Sequence, residues 1–374
     1  MSQSVPPGAM TWEAGRAVPL EGAFDIRLDG TIAAIDAQQW EGLRHPGQFC
    51  RHDYLLALEQ SRIACQFLYA TAWRDGQLVG AAVATIWSLR LSWWVELKVS
   101  TMGTPLNTGL AMMLAGAHAD TGLADSLIAA LEKASAAQGA RLFVARDFPG
   151  PHCLGQASLD LLYRRACLVL QQADFAAFVA SHPRGKHIRR EIRSLDKAGY
   201  TVEIRRASAL SLSEAQRLHQ LWLQLFHKHR SADQIEVGPA FFASMSRLPH
   251  AVFLLLRREQ QIDAFDLCFI LGEELESTYC GVDLARTAKL SVHRAMGHHI
   301  VRVAYEAGLR RINFGISNEQ QKQEMGCQFD GLYARITASP RWLGGPLRYL
   351  LRRFVLTPTT ADGVSGQDRL EVAG

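Results

Sequence analysis

Several absences limit what this chain can be. It has only seven cysteines, at positions 50, 65, 153, 167, 268, 280 and 327, an odd and scattered set without a C-x-x-C pair. That argues against a disulfide framework or a thiolate zinc site and suits a reducing cytoplasm. No run of about 18 apolar residues occurs, so no segment reads as a bilayer-spanning helix. The longest apolar region, Leu78 to Trp94, is broken by Gly80 and Arg90, and its Ala, Val, Thr, Ile and Trp content reads as strands. The first twenty residues lack the continuous apolar core of a signal peptide. Charge of one sign is also scarce. The net charge is only +4, too mild to point to nucleic acid, and the clustering of basic residues matters more than their total.

What is present is ordinary for a soluble globular protein, with 48% apolar and 20% charged residues. A length of 374 residues suits two domains rather than one core. Periodicity predicts helices over 32–43 and 54–61, then strands over 65–73, 77–87 and 92–100, with Asp75-Gly76 as a hairpin turn. An amphipathic helix over 122–138 follows, with Leu123, Leu127, Ile128 and Leu131 on one face, and then a strand over 141–146. The second half repeats this grammar. Helices are expected over 213–229 and 239–247, and a hairpin over 251–258 and 262–271. The stretch Glu274 to Phe329 then reads as strand (276–282), helix (290–307), strand (311–316) and short polar helix (318–325). Identities between the halves are few, so the duplication rests on the order of elements.

Two segments are conspicuously basic. One is the predicted helix from Gly185 to about Gly199, with Lys186, His187, Arg189, Arg190 and Arg193. It reads either as a phosphate- or tRNA-binding surface or as a solvated helix face. The other is 341–355, where Trp342, Leu343, Leu347 and Phe354 alternate with arginines. It reads either as a helix lying on an anionic membrane surface or as a docked terminal helix.

This element order resembles the GNAT acyltransferase superfamily, and more narrowly its FemAB-like double-domain branch, which includes BioF2-like acetyltransferase domains. The resemblance spans roughly residues 32 to 338. It rests on the repeated element list, the basic segment Arg184 to Arg193, the Tyr279 to Asp283 strand end, and Asn313 to Ser317 followed by Lys322 and Gly326. It implies an α/β (α+β) fold of tandem GNAT-like domains, each a mixed, mostly antiparallel sheet flanked by helices. The implied layout is a flexible tail (1–22), an N-terminal domain (23–180), a basic connecting helix (181–200), a C-terminal domain (201–340) and a basic amphipathic segment with a disordered tail (341–374).

The sequence departs from the family at two places. GNAT enzymes ordinarily hold the coenzyme A pyrophosphate on a Gln/Arg-x-x-Gly-x-Gly/Ala loop before the main helix. Positions 286–293 contain no glycine pair. Many family members also carry a tyrosine acid four residues before a Gly-Phe pair, where this chain has Lys322, with Cys327 after Gly326.

The resemblance implies an N-acyltransferase moving an acyl group from acyl-CoA or an acyl carrier protein, with no permanently bound cofactor, to an amine on a lipid, amino acid or secondary metabolite. An aminoacyl-tRNA-dependent aminoacyltransferase and a non-catalytic binding scaffold are the rival readings. The expected location is cytoplasmic, with possible peripheral contact on the inner membrane face. The candidate catalytic residues are Asp283 (base or amine anchor, otherwise a turn aspartate), Lys322 (proton donor or anion binder) and His293. Tyr279, Asn313, Ser317, Arg189 and Arg190 are candidate substrate contacts. No metal site is expected, since the adjacent His298 and His299 cannot share a helix face.

Overall fold

The computed structural model describes residues 24–43, 49–90, 96–116, 121–154, 159–229, 235–316 and 318–340. The first half opens with β1 (Asp25–Asp29), a 3-10 turn (Ile32–Ala34), α1 (Ala37–Leu43) and α2 (His52–Gln60). Strands β2 (Cys65–Arg74), β3 (Gln77–Arg90), β4 (Glu96–Met102) and the short β5 (Met112–Leu114) follow. Then come α3 (Thr121–Ala137), β6 (Leu142–Phe148) and β7 (Asp160–Val169). The turn between β2 and β3 has positive φ at both Asp75 (51°) and Gly76 (75°). Its twist matches that of the flanking strands, so the register of the hairpin is set locally.

Two helices, α4 (Phe175–Ser181) and α5 (Gly185–Lys197), lead to β8 (Tyr200–Arg206). The second half continues with α6 (Leu212–His229), α7 (Pro239–Met245), β9 (Ala251–Arg258), β10 (Gln261–Leu271) and β11 (Glu274–Val282). It ends with α8 (Val292–Glu306), β12 (Arg311–Asn313), α9 (Glu319–Glu324) and β13 (Gln328–Ala338).

One continuous sheet joins the halves, in the order β1-β2-β3-β4-β6-β13-β7-β12-β11-β10-β9-β8, with β5 pairing β3 to one side. The pairs β4–β6 and β11–β12 are parallel and all others antiparallel, so the halves mirror one another about the centre. The last strands are exchanged. β13 closes the first half by pairing with β6, and β7 closes the second by pairing with β12. The expected division around 181–200 therefore follows the chain but not the sheet.

Apolar side chains on one sheet face, from α1, α2, α6 and α7, form a core common to both halves, in which Tyr54, Phe49 and Phe269 meet edge-on or tilted. On the other face α8 packs over the second half and α3 over the first. Gly281 on β11 is where α6 comes closest. A Cβ there would lie 2.5 Å from Phe265, 2.6 Å from the Trp222 nitrogen and 2.7 Å from the Leu221 carbonyl carbon. Two of these are main-chain atoms and cannot rotate away. Gly281→Ala is therefore expected to cost about 1–3 kcal/mol, read as a lower urea midpoint; an unchanged midpoint would mean that α6 can slide.

The sequence-based elements differ from the structure in definite ways. The expected helix over 32–43 is a 3-10 turn, capped by the Thr31 hydroxyl, followed by a separate helix. β12 stops at Asn313 rather than reaching 316. Strands β1, β5, β7, β8 and β13 lie outside the expected elements: β1 and β5 are short, and in β7 and β13 charges interrupt the apolar pattern, with Asp330 of β13 lying 4.0 Å from Arg165 of β7 and pairing with Arg311 of β12. The 1–22 tail, Ser317 and the amphipathic segment 341–355 lie outside the described residues. Among the described residues no helix is long and apolar enough to cross a membrane.

Candidate active site

The geometry of the site begins with a bulge. In the β10–β11 hairpin, Leu267 faces Tyr279 while Cys268 faces Ser277, so Thr278 is an extra residue. Its hydroxyl donates to the Leu267 carbonyl at 3.0 Å. A bulge bends its strand. Accordingly β11 keeps its parallel ladder with β12 only over Glu274–Glu276, opposite Arg311–Asn313, and then runs on to Val282 without it. Because β12 ends at Asn313 while β11 runs on, a V-shaped notch is left in the middle of the sheet. Beyond Glu276 the edge of β11 has main-chain groups free of that ladder, where an extended ligand can align.

Glu276 stands at the base of this V. It is buried, and the hydrogen bond described to its carboxyl comes from the Thr108 hydroxyl at 3.4 Å. Burial raises its pKa to about 8, and the positive Arg165 offsets only part of that cost. Asn313, 1% exposed, is its cross-strand partner on β12, and Cys167 on β7 is the next in the same row. The Asn313 Oδ1 accepts from the Gly315 amide at 3.0 Å, which fixes the orientation of the side chain, and its Nδ2 has no hydrogen-bond partner among the described residues.

Lys322, on α9, brings a second unusual group. Its Nζ is buried without a hydrogen-bond partner among the described residues. Burial lowers its pKa to about 8, against the opposing pull of Cys327, Cys280, Glu319 and Cys167. Burial also pushes the Cys327 thiol up to about 12 and Cys280 further still. These thiols stay protonated at neutral pH, which disfavours a cysteine nucleophile.

The first half supplies a wall. Its segment 103–109 is pinned by Arg146, whose guanidinium donates to the carbonyls of Met102 (3.1 Å), Thr104 and Asn107 (2.8 Å), and by Asp147, which accepts from the Gly109 amide at 2.8 Å. The Tyr163 hydroxyl bridges Arg146 and Asp147. Fixed in this way, the segment presents Thr108 to Glu276 and the Leu106 carbonyl to the Tyr279 hydroxyl at 3.2 Å.

The structure pairs Asn313 with Glu276, sets Lys322 among Cys327, Cys280, Glu319 and Cys167, and places Tyr279 against Phe241, with ring centroids 4.9 Å apart. The other candidates lie elsewhere. Asp283 accepts from Arg217 at 2.9 Å and from the Arg286 amide at 3.0 Å. Burial pushes its carboxyl up, but these hydrogen bonds win and hold it below the usual range. A carboxylate so strongly satisfied suits the turn-aspartate role better than that of a base. His293 is exposed on the first turn of α8, and Arg189 and Arg190 are exposed on α5. Glu276 carries no distinct sequence signal, because β11 also holds Glu274, Ser277 and Thr278. Among the described residues no group of His, Cys, Asp and Glu is arranged to hold a metal.

Comparisons with known proteins concern the fold and one domain. Residues 183–323 match the family model described as an acetyltransferase (GNAT) domain. No curated protein matches the chain in sequence. Among solved structures, FemX superposes with a TM-score of 0.51 at 12% identity, covering 85% of this chain and 98% of its own. L-PGS from Bacillus licheniformis does so with a TM-score of 0.52 at 14% identity, covering 87% and 98%. A conserved protein of unknown function from Bacteroides thetaiotaomicron VPI-5482 gives 0.51 at 11%, covering 83% and 99%. At these identities the likeness concerns the fold. Residues 183–323 are thus similar to an acetyltransferase (GNAT) domain, and the chain as a whole shares its fold with these solved structures.

Proposed function

We propose that this protein transfers an acyl group from a thioester, on coenzyme A or an acyl carrier protein, to an amine, with Glu276 as general base and Lys322 as general acid. The observation that carries this reading is two buried titratable groups, Glu276 at the base of the V and Lys322 on α9, both with pKa shifted to about 8. The thioester lies along the free edge of β11. Glu276 takes a proton from the amine nitrogen, which attacks the carbonyl carbon. As the new C–N bond forms, the C–S bond breaks, and the Lys322 ammonium gives its proton to the departing sulfur. The net change is one proton moved from nitrogen to sulfur, and solvent exchange resets both groups. A base whose pKa lies near the working pH suits this task, and so does an acid matched to a thiol leaving group. Alignment in the V supplies much of the remaining rate.

A panel of acyl-CoAs and acyl carrier proteins, incubated with amines and followed by product mass spectrometry, tests the reading. Consumption of a thioester with amide formation is expected, with a bell-shaped kcat/KM profile centred near pH 8. No thioester consumed and none bound would sink it.

One observation favours a second reading, in which the acyl group is aminoacyl and arrives on tRNA. Lys186, Arg189, Arg190 and Arg193 are all exposed on α5, and such a face suits a phosphate backbone. Activity abolished by ribonuclease in cell extract would select it.

A further inference from the structure

The floor of the V contains more nitrogen donors than the protein itself uses. Glu276, Asn313 and Cys167 are successive cross-strand partners on β11, β12 and β7, so they share a sheet face. Arg311 is two residues before Asn313 on β12, and Arg165 two before Cys167 on β7, which places both on that face. Among the described residues, Asn313 Nδ2, Arg165 Nε and Arg311 Nε are buried without a hydrogen-bond partner. A buried donor without a partner costs stability, so a ligand is its natural complement.

The charges point the same way. Both guanidiniums lean on one carboxylate: Asp330 pairs with Arg311 and lies 4.0 Å from Arg165. Glu274 is 3.6 Å from Arg311 and is itself 40% exposed. The backbone ladders already hold β7, β12 and β13 together, and Asp330 adds an ion pair across them. Among the described residues, those contacts leave the Asn313 amide and the Arg165 Nε without a partner, and the Arg311 Nε with only the 3.6 Å approach of Glu274.

These donors call for an anion with oxygen acceptors, and their spacing limits how far it stands from the reacting amine. Adjacent strands lie about 4.8 Å apart, so an anion at Asn313 places a group two or three bonds away beside Glu276. In an amino acid the amine nitrogen stands two bonds from the carboxyl carbon. We propose that the acceptor amine is an amino acid, its carboxylate held by Asn313, Arg165 and Arg311 with its nitrogen at Glu276. The inference rests on the acyltransferase reading and deepens it. The product is an N-acyl amino acid, formed by the balanced transfer already described.

The test is direct binding, independent of any donor. The full chain is titrated calorimetrically at pH 8 with each of the proteinogenic amino acids, with the carboxamide of every amino acid that binds, and with phosphoethanolamine. At least one amino acid is expected to bind, and its carboxamide about tenfold or more weaker. Asn313→Asp keeps the side chain's shape and its bond to Gly315 but turns the free donor into an acceptor. It is expected to abolish binding while the protein stays folded by circular dichroism. Arg165→Met should weaken binding about tenfold or more, whereas Arg165→Lys should retain part of it. The proposal is overturned if no amino acid binds, if carboxamides bind as tightly, if phosphoethanolamine is preferred, or if both Asn313→Asp and Arg165→Met keep full affinity. Amino-acid binding without any thioester turnover would sink the acyltransferase reading alone. Turnover of amines with and without a carboxylate at equal rates would sink the amino-acid assignment alone.

Discussion

Glu276→Gln is expected to lower kcat/KM by about 10²–10⁴-fold while making the protein more stable. Both effects come from the same buried carboxyl. An amide fills the same space and can still accept from Thr108, so packing is kept while proton removal is lost. The stability change follows from linkage. With the folded pKa raised to about 8, Glu276 is harmless below its ordinary carboxylate range and becomes a growing liability as pH rises through the folded value. At pH 7 the gap to its ordinary value corresponds to about 3 kcal/mol, at roughly 1.36 kcal/mol per pH unit. Denaturant titrations of both proteins should therefore converge near pH 4 and separate towards pH 8. A variant that lost activity and stability together at pH 7 would show that Glu276 is a packing residue, not a base.

Lys322→Met should show the opposite pH dependence. The folded pKa is lowered to about 8 by burial, so the penalty is complete below that value and fades as pH rises through the ordinary lysine range. Replacing the ammonium by a thioether of similar length removes about 3 kcal/mol of that penalty at pH 7. The gain should vanish near pH 11. Activity should fall by about 10²–10⁴-fold, and the descending limb of the bell should disappear while the ascending limb stays. Lys322→Arg keeps the charge but does not titrate in this range, so its descending limb should move out of the measurable window. A descending limb still near pH 8 in both variants would assign the acid to another group.

Most of the architecture was legible in the residues because it is built from long periodic elements. The helix over 121–137 and the hairpin over 251–271 announced themselves by alternation and by turn residues. The exchanged strands did not, because β7 places Arg164 and Arg165, and β13 places Asp330, in mid-strand. Arg165 meets Asp330 only across the exchange, a counterpart that its own stretch of sequence does not reveal. The candidate site is only partly legible for a related reason. Lys322 stands out by its place before Gly326 and Asn313 by its alternation with Ile312 and Phe314. Glu276 gains its chemistry from the Thr108 segment of the other half, a neighbour that no local pattern reveals. Asp283 looked reactive at a strand end, yet Arg217, contributed by a distant helix, neutralises it.

The strand exchange also constrains how the molecule is made. The centre of the sheet, β13 against β7, joins the last strand of the second half to the last strand of the first. A growing chain cannot complete its first half until residues up to Ala338 have left the ribosome, since β6 waits for β13. Until then β6 exposes an open edge, the kind of surface that invites pairing with the wrong chain. The two halves thus mature together at the end of synthesis, and the V, whose wall and base come from opposite halves, exists only once that last strand is in place.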